Sequence, residues 1–313
     1  MTKIFFATDL HGSEPCFKKF LRAGTFYGAD ILFLGGDYGA KELVLFSNSE
    51  KGVDTFSGSG QHQHFASTDD FDRYVLWCKA SGRLMKRVDA SVLQHIAPAS
   101  YHDLFDRTLN DTFATWAEMA RDAFRRDGIP IYVIPGNDDS PRTDHYFTSE
   151  PFVFMHRRTA ELRASLITLL GWGGSNPTPW HTPREYPEHQ IRSELEQALK
   201  LRSHAGPMVL LAHPPPFGCG LDLVPEITKT LSYRLSFGSS AMVPIGSSAV
   251  REFVEEHQPL IGLFGHVHEG RGYHMIGQTL CINPGSAFHT GRLLGCILSI
   301  TDGRVDDFQL TDG

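Results

Sequence analysis

Asp9-Leu10-His11, Gly36-Asp37, Gly136-Asn137-Asp138, a lone His213 and Gly265-His266-Val267-His268 are the groups in this 313-residue chain whose types and spacing can do chemistry. Asp9, His11, Asp37, Asn137, His213, His266 and His268 together offer carboxylate, amide and imidazole donors and no thiolate. Such a set suits divalent ions such as Mn²⁺, Fe²⁺ or Zn²⁺ and does not suit a structural thiolate zinc. Seven ligands are too many for one open catalytic ion. If one carboxylate bridges, they divide into two sets of four, as in centres that hold two metals about 3.5–4 Å apart.

Each group follows a run that reads as a buried strand. Ile4 to Ala7, Ile31 to Leu34, Ile131 to Ile134, Leu166 to Leu170, Met208 to Ala212 and Leu260 to Phe264 are short, continuously apolar and closed by turn formers. A helical pattern of Phe17, Phe20, Leu21 and Gly24, after Ser13 and Pro15, separates the first two runs. Strand, helix, strand alternation implies an α/β core, and α/β sheets gather ligands beyond the carboxyl ends of their strands. Five strand ends would therefore bring the donors to one rim.

Further helices are expected over Arg184 to Ser203 and Ser247 to His257. Tyr273 to Ile276, Thr279 to Ile282, Gly295 to Ile300 and Val305 to Leu310 suggest an antiparallel finish. Residues 41–128 interrupt the rhythm as an insertion within a single domain spanning 1–313. Ser47 to Thr68 is rich in Gly, Ser and His and reads as a surface loop, with Gln61-His62-Gln63-His64 as a solvated tract. Asp69 to Arg126 carries helical spacing and reads as a cap.

Lys and Arg number 29 against 36 Asp and Glu, a formal charge of −7, which argues against an extended nucleic-acid face. Five scattered cysteines without a CxxC pair fit reduced packing thiols. The first apolar run is too short for a signal-peptide core and no stretch approaches a membrane span, so a cytoplasmic protein with no membrane partner is expected.

The blocks resemble those of the calcineurin-like metallophosphoesterase superfamily, DxH, GDxxD, GNHD or GNHE, a lone His and GHxH, in the same order from Asp9 to His268. The resemblance implies two packed mixed β-sheets flanked by helices, a four-layer sandwich, here with an inserted helical segment. It also implies two divalent ions, Mn²⁺ first, with Fe or Zn as alternatives. One would take Asp9, His11, Asp37 and His268, the other Asp37, Asn137, His213 and His266, with Asp37 bridging. The implied activity is hydrolysis of a phosphomonoester or small phosphodiester through a metal-bridging hydroxide, the partner being a small phosphorylated substrate. A non-catalytic interaction module of the same fold and a nuclease are the alternatives.

Two departures bear on mechanism. The GDxxD block reads Gly36-Asp37-Tyr38-Gly39-Ala40, without the second acid, which weighs against a protein phosphatase. The GNHD block reads Gly136-Asn137-Asp138-Asp139, so Asp138, a catalytic candidate beside Asn137, replaces the histidine credited with protonating the leaving group or contacting the phosphate. With an ordinary pKa near 3.9 and dications beside it, Asp138 would be a poor general acid at neutral pH. His181 and His289 are candidates to replace it.

Overall fold

Alternation inside the apolar runs decides which layer each side chain enters, because successive residues of a strand point to opposite faces. In the first strand Phe5 and Ala7 join one buried cluster, while Ile4 and Phe6 join another. Both faces are covered, which is why the run is continuously apolar. A computed structural model describes residues 1–162, 167–226, 235–236 and 239–313. Leu166, expected to open the fourth run, lies outside the described residues.

The chain opens with β1 (Thr2–Ala7), α1 (Glu14–Tyr27) and β2 (Ile31–Leu34). The insertion holds β3 (Glu42–Ser49), β4 (Gly52–Ser57), β5 (His62–Phe65), α2 (Thr68–Ala80), β6 (Arg83–Arg87), α3 (Ala90–Gln94) and α4 (Pro98–Asp127). Then come β7 (Ile131–Val133), β8 (Phe152–Phe154), β9 (Arg158–Glu161), β10 (Thr168–Trp172), α5 (Glu188–Leu199) and β11 (Met208–Ala212). Short strands β12 (Leu223–Pro225), β13 (Leu235–Ser236), β14 (Ser239–Ser240) and β15 (Met242–Pro244) precede α6 (Ser248–His257). The chain closes with β16 (Ile261–Leu263), β17 (Gly272–Ile276), β18 (Thr279–Asn283), β19 (Leu294–Thr301) and β20 (Arg304–Asp312).

Two six-stranded mixed sheets result, ordered β20-β19-β1-β2-β7-β8 and β17-β18-β16-β11-β10-β9. Within the first, β1, β2, β7 and β8 run parallel, and the pairing of Leu32 with Ile131 carries the sheet across the insertion. Within the second, β10, β11, β16 and β18 run parallel. β17 and the β19–β20 pair supply the antiparallel finish. Ile4, Phe6, Ile31 and Phe33 of one sheet share a buried cluster with Leu169, Val209, Leu211 and Ile261 of the other, so the sheets pack face to face. α1, α4 and part of the insertion cover one outer face, and α5 and α6 the other. The four layers are those that the resemblance implies.

The insertion differs from its expected form. Residues 47–68 are not a surface loop: β3, β4 and β5 pair antiparallel, and β6 joins β3 in parallel. The physical reason is one-sided burial. Only part of β3 and β4 reaches the core, and His62, Gln63 and His64 on the edge strand are exposed, so the segment lacks an apolar run. His64 pairs with Asp54 at 2.8 Å across the two strands. Apart from β6, the rest is helical as expected, with Leu109, Phe113, Trp116 and Ala120 of α4 facing inward. Ser13 stands at the N-cap of α1 without a side-chain capping bond; its hydroxyl donates instead to Ala80 O at 2.8 Å and ties α1 to the insertion.

The insertion is anchored at Trp116, whose ring stacks on Phe17 of α1 with centroids 4.1 Å apart. Replacing Trp116 with Ala should lower unfolding stability by about 3–5 kcal/mol, the usual cost of deleting a buried aromatic. Urea unfolding followed by circular dichroism measures it, and a loss under about 1 kcal/mol would show that the insertion does not depend on this contact.

Candidate metal centre

The rim is built by turning the chain sharply where each strand ends. Asp9, His11, Asp37 and His266 have φ of 55°, 43°, 49° and 64°, in the left-handed region that side chains other than glycine rarely adopt. Each such residue costs on the order of 1–3 kcal/mol and persists only where the surroundings enforce it. Backbone bonds do so here: Asp9 N donates to Gly36 O at 2.9 Å, His11 N to Asp37 O at 2.8 Å and Gly12 N to Tyr38 O at 2.8 Å. The loop after β1 is thus zipped to the loop after β2. From the second sheet, Gly265 N donates to His213 O at 2.9 Å.

All seven donors arrive at one rim, and Asp9, His11, Asp37, Asn137 and His213 are buried there. His11 Nε2 lies 2.9 Å from His268 Nε2, 3.7 Å from Asp9 Oδ1 and 3.7 Å from Asp37 Oδ2. His268 Nε2 is 3.3 Å from Asp9 Oδ1. His213 Nε2 is 3.6 Å from Asp37 Oδ2 and 3.2 Å from Asn137 Oδ1. Asp37 Oδ2 therefore faces both halves. At this rim three groups have ligand atoms all within 4.8 Å of one another: Asp9, His11 and His268; Asp9, Asp37 and His213; and His11, Asp37 and Asp138. His266 belongs to none of these, and is placed by its ring, 5.3 Å from that of His213.

The remaining atoms of these side chains are already committed. His213 Nδ1 lies 2.8 Å from Gly35 O, which fixes an N–H on that nitrogen, so Nε2 is the nitrogen that can ligate an ion once its proton is displaced. Asp9 Oδ2 accepts from Thr8 Oγ1 at 2.7 Å and His266 N at 3.0 Å, whereas buried Asp9 Oδ1 has no hydrogen-bond partner. An orphaned carboxylate oxygen facing two imidazole nitrogens is a donor set that fits a cation.

Supporting bonds lie behind the donors. Ser286 Oγ donates to Asp9 O at 2.6 Å, and Asn283 Nδ2 to Val267 O at 2.9 Å, so the Asn283-Pro284-Gly285-Ser286 turn braces two ligand loops. Asp139, which spacing did not single out, accepts from Gly136 N at 2.8 Å and Gly39 N at 2.9 Å and locks the Asp37 loop to the Asn137 loop. Burial, with Asp37 nearby, pushes its carboxyl up to about 7.

In the metal-free cluster the charges hold one another. Burial pulls the His213 imidazole down, but Asp37 and then Asp9 outweigh it and leave it raised to about 9. Burial and the positive His213 push His266 down to about 4. Burial raises Asp9, yet His268 and His213 leave it well below the usual carboxylate range. Asp138 does not keep an ordinary value: burial and Asp37 push it up to about 6, with Lys41 pulling the other way.

Asp138 is where the site holds a residue that spacing missed. Lys41 Nζ sits 2.6 Å from Asp138 Oδ2, and Asp138 N donates to Asp37 Oδ1 at 2.9 Å. Both side chains line a cavity of about 1070 Å³ that also takes in Asp37, Asn137, His266 and His268. His181 and His289 do not line it; both are exposed. Lys41 has no local signal, since its partner is nearly a hundred residues away.

Fold and cluster together define an α/β sandwich built around a candidate divalent-metal site. The sequence profile of the calcineurin-like phosphoesterase family matches residues 103–270, more than half of the chain, and the chain belongs to that family. Asp9, His11 and Asp37 precede the matched stretch, so their place rests on the geometry above. An uncharacterized protein of Methanocaldococcus jannaschii is 28% identical over 160 residues, covering 50% of this chain and 65% of the relative, so under two thirds of that protein's length is matched. A solved crystal structure overlays with a TM-score of 0.57 at 16% identity, covering 99% of this chain and 98% of the other. The crystal structure of TT1561 of Thermus thermophilus gives a TM-score of 0.54 at 14% identity, covering 100% and 98%. These two likenesses show the fold. No helix among the described residues is long and apolar enough to cross a membrane.

A Cβ at Gly136 would lie 2.0 Å from Asp37 Oδ1 and 2.3 Å from Asp37 N. Gly136→Ala should therefore displace Asp37 and weaken Mn²⁺ binding at least about tenfold, ~1.4 kcal/mol. Calorimetric titration of Mn²⁺ into the variant checks this, and unchanged affinity would separate Asp37 from ion binding.

Proposed function

We propose that the protein is a metal-dependent phosphoesterase that hydrolyses a phosphomonoester or a small phosphodiester. Asp9, His11, Asp37 and His268 would hold one divalent ion, and Asp37, Asn137, His213 and His266 the other, with Mn²⁺ the first choice. The observation that carries this reading is the buried, unpartnered Asp9 Oδ1 facing His11 Nε2 and His268 Nε2, with Asp37 shared between the two halves. When bound, two divalent ions would supply Lewis acidity at the phosphoryl oxygens and would lower the pKa of the attacking water towards neutral pH.

The chain's own residues do the rest. Asp37 is held by Asp138 N and faces both His11 and His213, so its carboxylate sets the spacing of the two halves. Asn137 Nδ2 donates to Thr182 Oγ1 at 3.0 Å, which turns Asn137 Oδ1 towards His213. Lys41 stands in the cavity as a fixed cation for a phosphoryl oxygen, and Asp138 positions it. This pair occupies the place of the family's histidine. The negative formal charge does not oppose an anionic substrate, because two dications, when bound, would with Lys41 make the cleft locally positive.

Purified protein should bind about two Mn²⁺ per chain by elemental analysis and hydrolyse bis(p-nitrophenyl) phosphate. EDTA, or replacement of Asp37 with Ala, should abolish that rate; hydrolysis insensitive to both would overturn the reading. Lys41→Met should cost about 10²-fold in kcat/KM, as removal of a catalytic electrostatic donor does, with Lys41→Arg recovering part of it. The pH dependence of metal binding has a definite sign. In the metal-free protein the His213 proton is held up to about 9 against an ordinary 6.5, and an ion must displace it. Mn²⁺ affinity should therefore climb as pH rises from 6.5 to about 9 and level off above, and a flat profile across that window would remove His213 from the ligand set.

A further inference from the structure

The proposed metal site occupies only one end of its cavity. At about 1070 Å³ the space is at the top of the roughly 300–1,000 Å³ range that encloses whole organic ligands, and far exceeds what a phosphoryl group fills. The lining away from the metal end is largely apolar, with Phe105 of α4, Trp180 and Phe217 in it beside the carboxylates of Glu188, Glu226 and Glu269.

Phe105 packs against the core, but Trp180 and Phe217 differ from the other three tryptophans in being exposed without a ring partner. Trp77, Trp116 and Trp172 pack against Tyr74, Phe17 and Tyr186. Among the described residues Trp180 has no ring or cation partner, and it is 61% exposed; Phe217 is 47% exposed and also has none.

Exposure does not mean that Trp180 is loosely held. The Glu185 carboxylate accepts from Thr178 N at 3.0 Å, Thr178 Oγ1 at 2.5 Å, Thr182 N at 2.7 Å and Thr182 Oγ1 at 2.8 Å, closing the loop on both sides of the ring. Trp180 N itself donates to Thr178 Oγ1 at 3.2 Å. Thr182 Oγ1 is also the acceptor of Asn137 Nδ2, so the indole-bearing loop is tied directly to a metal-site residue. Phe217 is placed by its N–H on Ser247 O at 3.0 Å. A large flat face on a loop tied to the phosphoryl position, largely exposed and without a ring or cation of the described protein against it, is a stacking platform.

The geometry points to a substrate class: a phosphoester whose organic group is a planar aromatic system, an aryl ring or a nucleobase, stacked on Trp180 beside Phe217 while its phosphoryl group lies at Asp37, Asn137 and Lys41. This rests on the phosphoesterase reading of the same site. An aliphatic chain would gain burial there but no face-to-face match to the indole.

The test uses phosphonates, whose P–C bond survives the reaction, so binding is read separately from turnover. Dissociation constants for the Mn²⁺-loaded protein are measured by calorimetry with methylphosphonate, cyclohexylmethylphosphonate, naphthylmethylphosphonate and the methylene phosphonate analogue of adenosine 5′-monophosphate. The two planar ligands should bind at least about tenfold tighter than the other two, and whichever of them binds tighter identifies an aryl or a nucleobase source. Trp180→Ala should remove most of that preference, and Trp180→Phe should keep it. Equal affinity for the cyclohexyl and naphthyl compounds, or a preference that survives Trp180→Ala, would overturn the inference. Absence of metal-dependent p-nitrophenyl ester hydrolysis would instead overturn the phosphoesterase reading.

Discussion

The rest of the site depends on keeping Asp37 ionised and buried between two imidazoles. Withdrawing a carboxylate from water costs several kcal/mol unless charge and hydrogen bonds replace the lost solvation. Asp138 N supplies a bond to Oδ1, and His11 and His213 face Oδ2 from either side. The backbone is shaped for that placement: Asp37 sits at φ 49°, and Gly136 leaves room that any side chain would take from the carboxylate. Asp139 then clamps the two loops together. The strained positions are not scattered; four of the seven donors share the left-handed conformation, as expected where packing enforces a functional geometry.

The sandwich is the device that makes this constraint affordable. Neither sheet alone carries a complete donor set. β1, β2 and β7 deliver Asp9, His11, Asp37 and Asn137, and β11 and β16 deliver His213, His266 and His268. The buried cluster between the sheets holds the two groups at hydrogen-bond range across the rim. The insertion, stacked on α1 through Trp116, contributes Phe105 to the cavity wall, so it bears on the space beyond the metal end.

The Lys41–Asp138 pair changes the electrostatics of the cleft without changing its frame. Where the family's pattern has a histidine, this chain has an acid whose charge is matched by a lysine from a different loop. The positive charge thus arrives on a longer stem that reaches into the cavity and is held by Asp138.

The candidate metal donors were legible in the sequence because ligation needs particular atoms, and because strands buried on both faces announce themselves as unbroken apolar runs ending just before Asp9, Asp37, Asn137, His213 and His266. The β3–β5 strands were not, since an edge buried on one face, with His62, Gln63 and His64 exposed, has the composition of a loop. Lys41 beside Asp138, Asp139 across to Gly39, and Trp180 fixed through Thr182 to Asn137 were equally illegible. Sequence by itself determined which donors exist and which strands carry them, through local residue type and period. Only the tertiary structure decided the cation beside the acid and the aromatic wall beyond it, because those contacts join residues far apart along the chain, where local spacing carries no signal.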